Sequence, residues 1–223
     1  MAILNERETN QDEVAIIIPA WNEEKTIEGV ISSVIPHGRV IVVNDASTDQ
    51  TALFAEHAGA TLVNHCLNKG YDGALNSGFK KAVKLGVKYI LTFDADGQHN
   101  PADIPYIIER LKAGADLVVG IRPNCARISE KLFSLLTWQI YGLRDPLCGL
   151  KGYQNSLYHD AGNFDSCNSI GTELALFACK RKKYKVEQFP VGIYSRQDQP
   201  RFGTSLKANL RIFYAMCRVF LKN

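Results

Sequence analysis

The chain has 223 residues, of which 46% are apolar and 22% are charged, a composition that excludes collagen-like, disordered and low-complexity proteins. A chain of this length buries roughly 70% of the surface that it exposes when unfolded, so it needs no disulfide or structural metal to hold it. The six cysteines include no C-x-x-C pair, which argues against a zinc ribbon or a thioredoxin-type site. They predict reduced thiols in a cytoplasmic protein.

The net charge of +3 is too small to suggest a nucleic-acid-binding protein, but the charge is unevenly distributed. Residues 180–223 contain eleven Lys and Arg against two acidic residues, which leaves fifteen basic and twenty-one acidic residues for 1–179. A basic end on an acidic body predicts that this end meets something anionic, such as a phosphate or a membrane surface. We find no signal-peptide pattern at the start and no run of 18 apolar residues.

Short apolar runs alternate with longer mixed segments in the first half of the chain. The predicted strands are Val14–Ile18, Val40–Val43, Tyr89–Phe93 and Asp116–Val119. The predicted helices are Glu24–Val34, Thr51–Ala58, Gly73–Leu85 and Pro101–Ala113. Strands that are continuously apolar are typical of parallel sheets covered on both faces. The alternation therefore predicts an α/β fold with a Rossmann-like, mostly parallel sheet flanked by helices.

The second half of the chain departs from this alternation. It predicts an apolar helix over Ile128–Leu143, a helix over Gly171–Lys182, a late strand over Val186–Tyr194 and a C-terminal helix over Ser205–Lys222. The last helix is amphipathic, with its cations within about 60° of one another: Lys207, Arg211, Arg218 and Lys222. We expect its apolar side to comprise Leu206, Leu210, Phe213, Cys217, Phe220 and Leu221. Such a helix can lie on an anionic membrane or pack on its own domain with its cations in water.

These patterns predict three parts: a polar N-terminal extension (1–12), one catalytic domain (13–204) and a basic amphipathic C-terminal helix (205–223). Ligands of open α/β sheets bind beyond the carboxyl ends of the strands, so we weigh the polar clusters there together. The first strand runs into Pro19, Ala20, Trp21 and Glu23, and the second ends at Asp45. The indole face and the carboxylates suit a nucleobase and ribose, although each cluster alone is more typical of helix capping.

The third cluster is D-A-D-G-Q-H, residues 94–99. Carboxylates at positions i and i+2 of an extended segment point the same way and repel each other unless a cation lies between them. The motif contains no Lys or Arg, and hard oxygen donors suit Mg²⁺ or Mn²⁺. We therefore predict a metal site formed by Asp94, Asp96 and Gln98. The alternative is a loop in which Asp96 caps the helix that begins at Pro101.

Further cations and one carboxylate follow later strands. Arg122 stands just past the fourth predicted strand, where it could hold a phosphate. Asp145 lies in a glycine-rich turn, and Arg196, Arg201 and Lys207 lie in or beside another glycine-containing segment. For each of these residues a solvated loop is the competing interpretation.

The sequence lacks the motifs of several common enzyme classes. We find no G-x-G-x-x-G after the first strand, no P-loop and no G-x-S-x-G, which argues against nicotinamide dehydrogenases, P-loop enzymes and the usual α/β-hydrolases. Four histidines have no metal-ligand spacing and are predicted to be structural or on the surface: His37, His57, His65 and His159.

Five segments occur in order: VAIIIPAWNEE, VNDASTD, NKGYDGALNSGF, DADGQHNP and VVGIR. Over about residues 13–215 the chain resembles inverting GT-A glycosyltransferases, most of all the dolichol-phosphate mannose synthase and polyprenyl-phosphate glycosyltransferase branch. The resemblance implies a single GT-A domain that binds a nucleotide-sugar and Mg²⁺ or Mn²⁺.

The resemblance also implies roles for particular residues. The nucleoside would contact Pro19, Ala20, Trp21, Glu23, Val43 and Asp45, with Ala95 on the ribose side. The metal on the diphosphate would be held by Asp94, Asp96 and Gln98. Phosphates would be gripped by Arg122, by Arg196 or Arg201, and by Lys207. The family's R-x-x-G-x-S-K appears here as RFGTSLK, shifted by one residue, which leaves the choice between Arg196 and Arg201 open.

The implied reaction is a metal-dependent inverting transfer from GDP-mannose or a UDP-hexose to polyprenyl or dolichyl phosphate, with Asp145, Asp96 and Arg122 as catalytic residues. Metal and arginines would stabilise the charge that develops on the departing diphosphate. A lipid phosphate is already anionic and needs no strong base. A sugar hydroxyl of a glycan or envelope polysaccharide would need one, and Asp145 is the candidate. A non-catalytic nucleotide-sugar-binding protein is a remote alternative.

The expected partners follow from this reaction. We expect the nucleotide-sugar donor and a polyprenyl-phosphate or glycan acceptor, with no nucleic acid. The basic helix predicts peripheral contact with the cytoplasmic face of a membrane, or with a membrane-protein partner.

Overall fold

The computed structural model describes residues 12–124, 127–194 and 205–221. The predictions for Arg196 and Arg201, and most of the N-terminal extension, lie outside these residues.

A seven-stranded sheet forms the centre of the described chain. Its strands are β1 (Val14–Ala20), β2 (Arg39–Asn44), β3 (Thr61–Asn64), β4 (Tyr89–Thr92), β5 (Leu117–Ile121), β6 (Lys151–Gln154) and β7 (Val186–Pro190). Their order is β3-β2-β1-β4-β6-β5-β7, and only β6 runs antiparallel to its neighbours. The carboxyl ends of the six parallel strands and the start of β6 therefore lie along one edge, which we call the carboxyl edge.

Eight helices surround or extend this sheet in the described residues. They are α1 (Ile27–Val34), α2 (Thr51–His57), α3 (Gly70–Lys84), α4 (Ile104–Lys112), α5 (Ile128–Tyr141), α6 (Asn155–Ala161), α7 (Glu173–Cys179) and α8 (Ser205–Leu221). Successive residues of β1 enter opposite cores: Ile16 and Ile18 pack with α1 and α4, whereas Ile17 packs with α3 and α7. Both faces of the strand are covered, which confirms the interpretation of continuous apolar runs as buried parallel strands.

The sequence missed β3, β6 and α6 and misplaced several ends. β3 has four residues and none of them is fully buried, so it carries little hydrophobic signal. β6 has the sequence KGYQ, which lacks the continuous apolar run that predicted the other strands. Its Gly152 is needed for close packing, because a Cβ there would fall 2.3 Å from Ile107. The predicted helix over 101–113 is a 3₁₀ turn, Pro101–Asp103, followed by α4.

α5 and α8 lie side by side and run parallel. Near their starts, Ser129 Oγ donates to Asn209 Oδ1 at 2.7 Å, and near their ends Tyr141 stacks on Phe220 with ring centroids 6.0 Å apart. Phe133 fills the middle of the interface. The C-terminal helix is thus packed on the rest of the chain. No helix in the described parts of the chain is long and apolar enough to cross a membrane.

The buried face of α8 is not the one expected from its largest side chains. The residues turned inward are Ala208, Ile212, Ala215, Met216 and Val219. Leu206, Leu210, Phe213 and Leu221 remain between 45% and 85% exposed. The two alanines offer little bulk, which allows the close helix contact that larger residues would prevent.

Candidate active site

Hydrogen bonds join the loop after β1 to the loop after β2 at the carboxyl edge. The Asn22 amide donates to Ser47 Oγ at 3.0 Å, and the Thr48 amide donates to Asn22 Oδ1 at 2.8 Å. The Glu23 amide donates to Thr51 Oγ1, also at 2.8 Å. These contacts join the two loops to each other, whereas the residue that precedes each of α1 and α2 makes no side-chain capping hydrogen bond.

The residues expected around a nucleoside differ in accessibility. Trp21 is 43% exposed at the carboxyl edge, so its indole face is available for stacking. Ala20, Val43 and Ala95 are buried in the apolar cores. Pro19 is half-buried and pairs with Val43 in the sheet.

Asp45 is 3% exposed, and its carboxylate is occupied by the chain itself. It accepts hydrogen bonds from the amides of Lys69 and Gly70, each at 2.8 Å, and contacts His65 Nδ1 at 2.6 Å. His65 Nε2 lies 2.8 Å from Ser77 Oγ. Asp45 therefore fixes the start of α3 against β2, and His65 has the structural role that the sequence predicted.

Asp94 comes two residues after the end of β4, and Asp96 lies in the turn that follows, so the two aspartates do not lie on one continuous strand. β4 ends at Thr92, and the turn closes at Gly97, whose φ is +72°. Asp94, Asp96 and Gln98 are all half-buried at the carboxyl edge. The backbone N–H of Gln98 donates to Asp96 Oδ1 at 3.1 Å, and this hydrogen bond orients the Asp96 carboxylate.

Asp94 has protein partners that the sequence did not reveal. Tyr71 donates its hydroxyl to Oδ1 at 3.1 Å, and His99 Nε2 lies 3.0 Å from Oδ2. Burial alone would raise the pKa of Asp94, but the hydrogen bonds and charge of His99, with help from Tyr71 and Lys151, lower it. The carboxylate thus stays ionised while 29% exposed. Lys151, from a distant segment, supplies positive charge near the motif, so the repulsion argument alone does not require a metal.

Gly149 forms the cradle on which Asp94 rests. A Cβ at this position would fall 1.9 Å from Asp94 Oδ2, a distance that no real contact allows. Thr92 Oγ1 donates to the Gly149 carbonyl at 2.6 Å and fixes this segment beside the end of β4. The three oxygen-donor side chains, held on a rigid turn with one carboxylate kept ionised, fit a divalent cation.

Lys151 is a buried cation at the start of β6. It is 3% exposed and donates to the Gly171 carbonyl at 3.2 Å. Burial lowers its pKa, whereas Cys148, Asp145 and Asp94 oppose that shift. Burial raises the pKa of the Cys148 thiol to about 12, so this cysteine is neutral at physiological pH.

Arg122 and Asp145 form a tight buried pair. Asp145 accepts three hydrogen bonds from Arg122: from the amide at 3.1 Å, from Nε at 2.8 Å and from one terminal nitrogen at 2.9 Å. The Asp145 side chain is 2% exposed and that of Arg122 is 21% exposed. Burial opposes the charge of Arg122, but Asp145 more than compensates and raises its pKa. Glu130 lies 3.5 Å from the same guanidinium.

The structure thus brings most of the predicted site residues to one edge. Lys207 lies on α8 and is exposed. Sequence reasoning missed Tyr71, His99, Gly149 and Lys151. Tyr71 and His99 stood inside quoted motifs, so their position was a signal, but nothing in the sequence paired them with Asp94.

The fold is that of GT-A glycosyltransferases. A crystal structure of glucosyl-3-phosphoglycerate synthase from Mycobacterium tuberculosis, in complex with Mn²⁺, uridine diphosphate and phosphoglyceric acid, superposes with a TM-score of 0.73. It is 20% identical, and the match covers 98% of this chain and 82% of that one.

The model of glycosyl transferase family 2 matches residues 15–173, and the chain belongs to that family of nucleotide-sugar-dependent glycosyltransferases. An uncharacterised protein of Methanocaldococcus jannaschii is 30% identical over 227 residues, which cover 94% of this chain and 93% of that protein. The UDP-N-acetylglucosamine–dolichyl-phosphate N-acetylglucosaminyltransferase of Methanococcus voltae is 28% identical over 242 residues, covering 91% of this chain and 94% of that protein.

Proposed function

We propose that this chain is a metal-dependent, inverting transferase that moves a sugar from a nucleotide-sugar to a polyprenyl phosphate. The observation that carries the acceptor half of this proposal is an exposed apolar surface on the α5–α8 pair, bordered by cations. The donor half rests on the carboxyl edge described above.

The metal ligands would be Asp94, Asp96 and Gln98. A bound Mg²⁺ or Mn²⁺ would supply Lewis-acid stabilisation of the leaving diphosphate. The chain's own contribution is to hold Asp94 ionised and immobile, through Tyr71, His99 and the Gly149 cradle. Trp21 would stack on the nucleobase at the other end of the donor.

Arg122 would bind a phosphate, and Asp145 would orient it. Both oxygens of the Asp145 carboxylate accept hydrogen bonds from Arg122, so this carboxylate is engaged in orienting the guanidinium and not in contact with an acceptor hydroxyl. This favours an acceptor that needs no base. A phosphate oxygen is already anionic and can attack the anomeric carbon from the face opposite the leaving group, which inverts that centre.

The surface of the α5–α8 pair supports a lipid acceptor. α5 exposes Ile128, Leu132 and Leu135, and α8 exposes Leu210 and Phe213, all at least 41% exposed. On a helical wheel each of these rows lies roughly opposite the buried positions of its helix, which include the contact between α5 and α8, so both rows are turned to the outside of the parallel pair. We call this the outer apolar surface.

A row of cations borders the outer apolar surface along α8: Lys207, Arg211 and Arg218, all exposed. Apolar residues beside a basic row match a membrane leaflet with anionic headgroups. The function named for the M. voltae relative, which is similar over almost its whole length, also includes a lipid phosphate acceptor.

A transfer assay tests the proposal. The purified chain is incubated with Mn²⁺ and radiolabelled GDP-mannose, UDP-glucose or UDP-N-acetylglucosamine, and with vesicles that contain or lack a polyprenyl phosphate. We expect label in the organic phase from one donor, only with the lipid phosphate and lost with EDTA. Label that reaches only water-soluble glycans would establish the hydroxyl acceptor instead, and no transfer from any donor would contradict the proposal.

A further inference from the structure

A cavity of about 400 Å³ lies between the start of α3, the loop that contains Asn168 and Ile170, and α8. Three cations line it: Lys69 before α3, and Arg211 and Arg218 on α8. None of the sequence motifs singled out Arg211 or Arg218 for phosphate binding. The cavity therefore concentrates positive charge outside the residues already assigned to the donor.

The geometry of the cavity suits a dianion. A guanidinium nitrogen of Arg211 lies 4.0 Å from the point that a Cβ on Gly70 would occupy, so this charge stands over the first turn of α3. The amides of Lys69 and Gly70 at the start of this 15-residue helix are already bound by Asp45, so the positive charge of the cavity comes from its lysine and two arginines.

Asp72 is the single acidic residue among those that line the cavity, and it reduces the positive charge of the cavity only a little. Its carboxylate accepts the amides of Ile170 and Gly171, at 3.2 and 2.5 Å. Burial, with the charge of Asp165, raises the pKa of Asp72 to about 6, against the two amides and Arg211, which lower it. Three cations and at most one carboxylate leave the cavity net positive.

The cavity connects the metal-site carboxylate to the outer apolar surface. Tyr71 lines the cavity and donates its hydroxyl to Asp94. Tyr214 lines the other side and is 60% exposed, next to Leu210 and Phe213 on the outer turn of α8. A phosphate held here would lie one side chain away from Asp94, with an attached chain free to run onto apolar residues.

We propose that this cavity binds the phosphomonoester group of the acceptor, through Arg211 and Arg218. The inference rests on the proposed function for the acceptor's role in transfer, but binding of a phosphomonoester can be measured without any transfer. The phosphate could belong to a lipid or to a small soluble molecule. The apolar exit beside Tyr214 favours the lipid.

The first experiment is calorimetric binding of decyl phosphate and of glycerol 3-phosphate to the full chain. We expect the variant R211Q/R218Q to bind decyl phosphate roughly tenfold or more weakly, as the loss of charge-assisted hydrogen bonds implies. The matched control is K84Q, which removes an exposed cation at the far end of α3. Decyl phosphate should bind wild type more tightly than glycerol 3-phosphate does. Equal binding would assign the cavity to soluble phosphates, and unchanged binding by R211Q/R218Q would overturn the proposal.

The second experiment separates this inference from the proposed function. In the transfer assay, R211Q/R218Q should raise the KM for polyprenyl phosphate and leave the KM for the donor unchanged. A raised donor KM with an unchanged acceptor KM would contradict the inference alone. Arginine-dependent binding of decyl phosphate by a wild-type chain that transfers no sugar would support the cavity and contradict the proposed function.

Discussion

Replacing Gly149 with alanine tests the geometry of the metal-site carboxylate most directly. The new methyl group would fall 1.9 Å from Asp94 Oδ2, about 1 Å inside the closest approach that real Cβ atoms show. The backbone of Gly149 does not have a positive φ, so the substitution acts through this clash and not through backbone strain. Asp94 or the start of β6 must therefore move by about 1 Å, and displacements of that size in reacting groups lower rates by roughly 100-fold.

We expect G149A to lower kcat/KM for the donor by roughly 100-fold and to raise the Mn²⁺ concentration needed for half-maximal activity. Overpacking should also reduce the free energy of unfolding by about 1–3 kcal/mol. Initial rates over a Mn²⁺ titration, with urea unfolding of the same samples, measure both effects.

Gly29 supplies the matched control. It is exposed in α1, and a Cβ there would meet nothing within 4 Å. G29A should keep full activity and stabilise the chain by about 1 kcal/mol, the difference in helix propensity. Near-normal kcat/KM for G149A at low Mn²⁺ would contradict the close contact between Gly149 and Asp94 and, with it, the position of the Asp94 carboxylate.

Three other predictions concern the second carboxylate, the membrane surface and a buried acid. D96A should abolish transfer, measured at saturating Mn²⁺; near-normal turnover would contradict a metal role. L210S/F213S should reduce co-sedimentation with anionic vesicles, whereas L53S, which replaces an exposed leucine on α2, should not. An equal loss in both variants would contradict membrane binding by the outer apolar surface. Asp72, whose folded pKa is about 6 instead of 3.8, holds its proton while the unfolded chain releases it, so stability falls as pH rises from about 4 to 6. D72N should gain up to about 3 kcal/mol relative to wild type between pH 4 and pH 8 in urea unfolding, and a pH-independent difference would contradict this.

Substitutions are better than truncation for the membrane test. α8 buries Ala208, Ile212 and Val219 and covers Phe133, so its deletion would expose core residues and confound any binding measurement. Leu210 and Phe213 lie outside that contact, and their replacement leaves the packed face of α8 intact.

The strands that position the site were predictable because each is a continuous apolar run. β1, β2, β4 and β5 overlap their predicted ranges, and their ends differ by one or two residues. β6 was missed because its residues have no strand character of their own. It lies between β4 and β5 in the sheet, and only glycine fits at position 152, because Ile107 lies too close for a Cβ.

The sequence by itself determined that the polar clusters meet, since the carboxyl ends of parallel strands must share an edge. Only the tertiary structure decided how their charges pair. Asp145 is bound to Arg122, 23 residues away, and Asp94 rests on Gly149, which β6 brings beside it. The packed face of α8 was likewise set by its fit to α5. Such contacts join residues distant in sequence, so no local pattern encodes them.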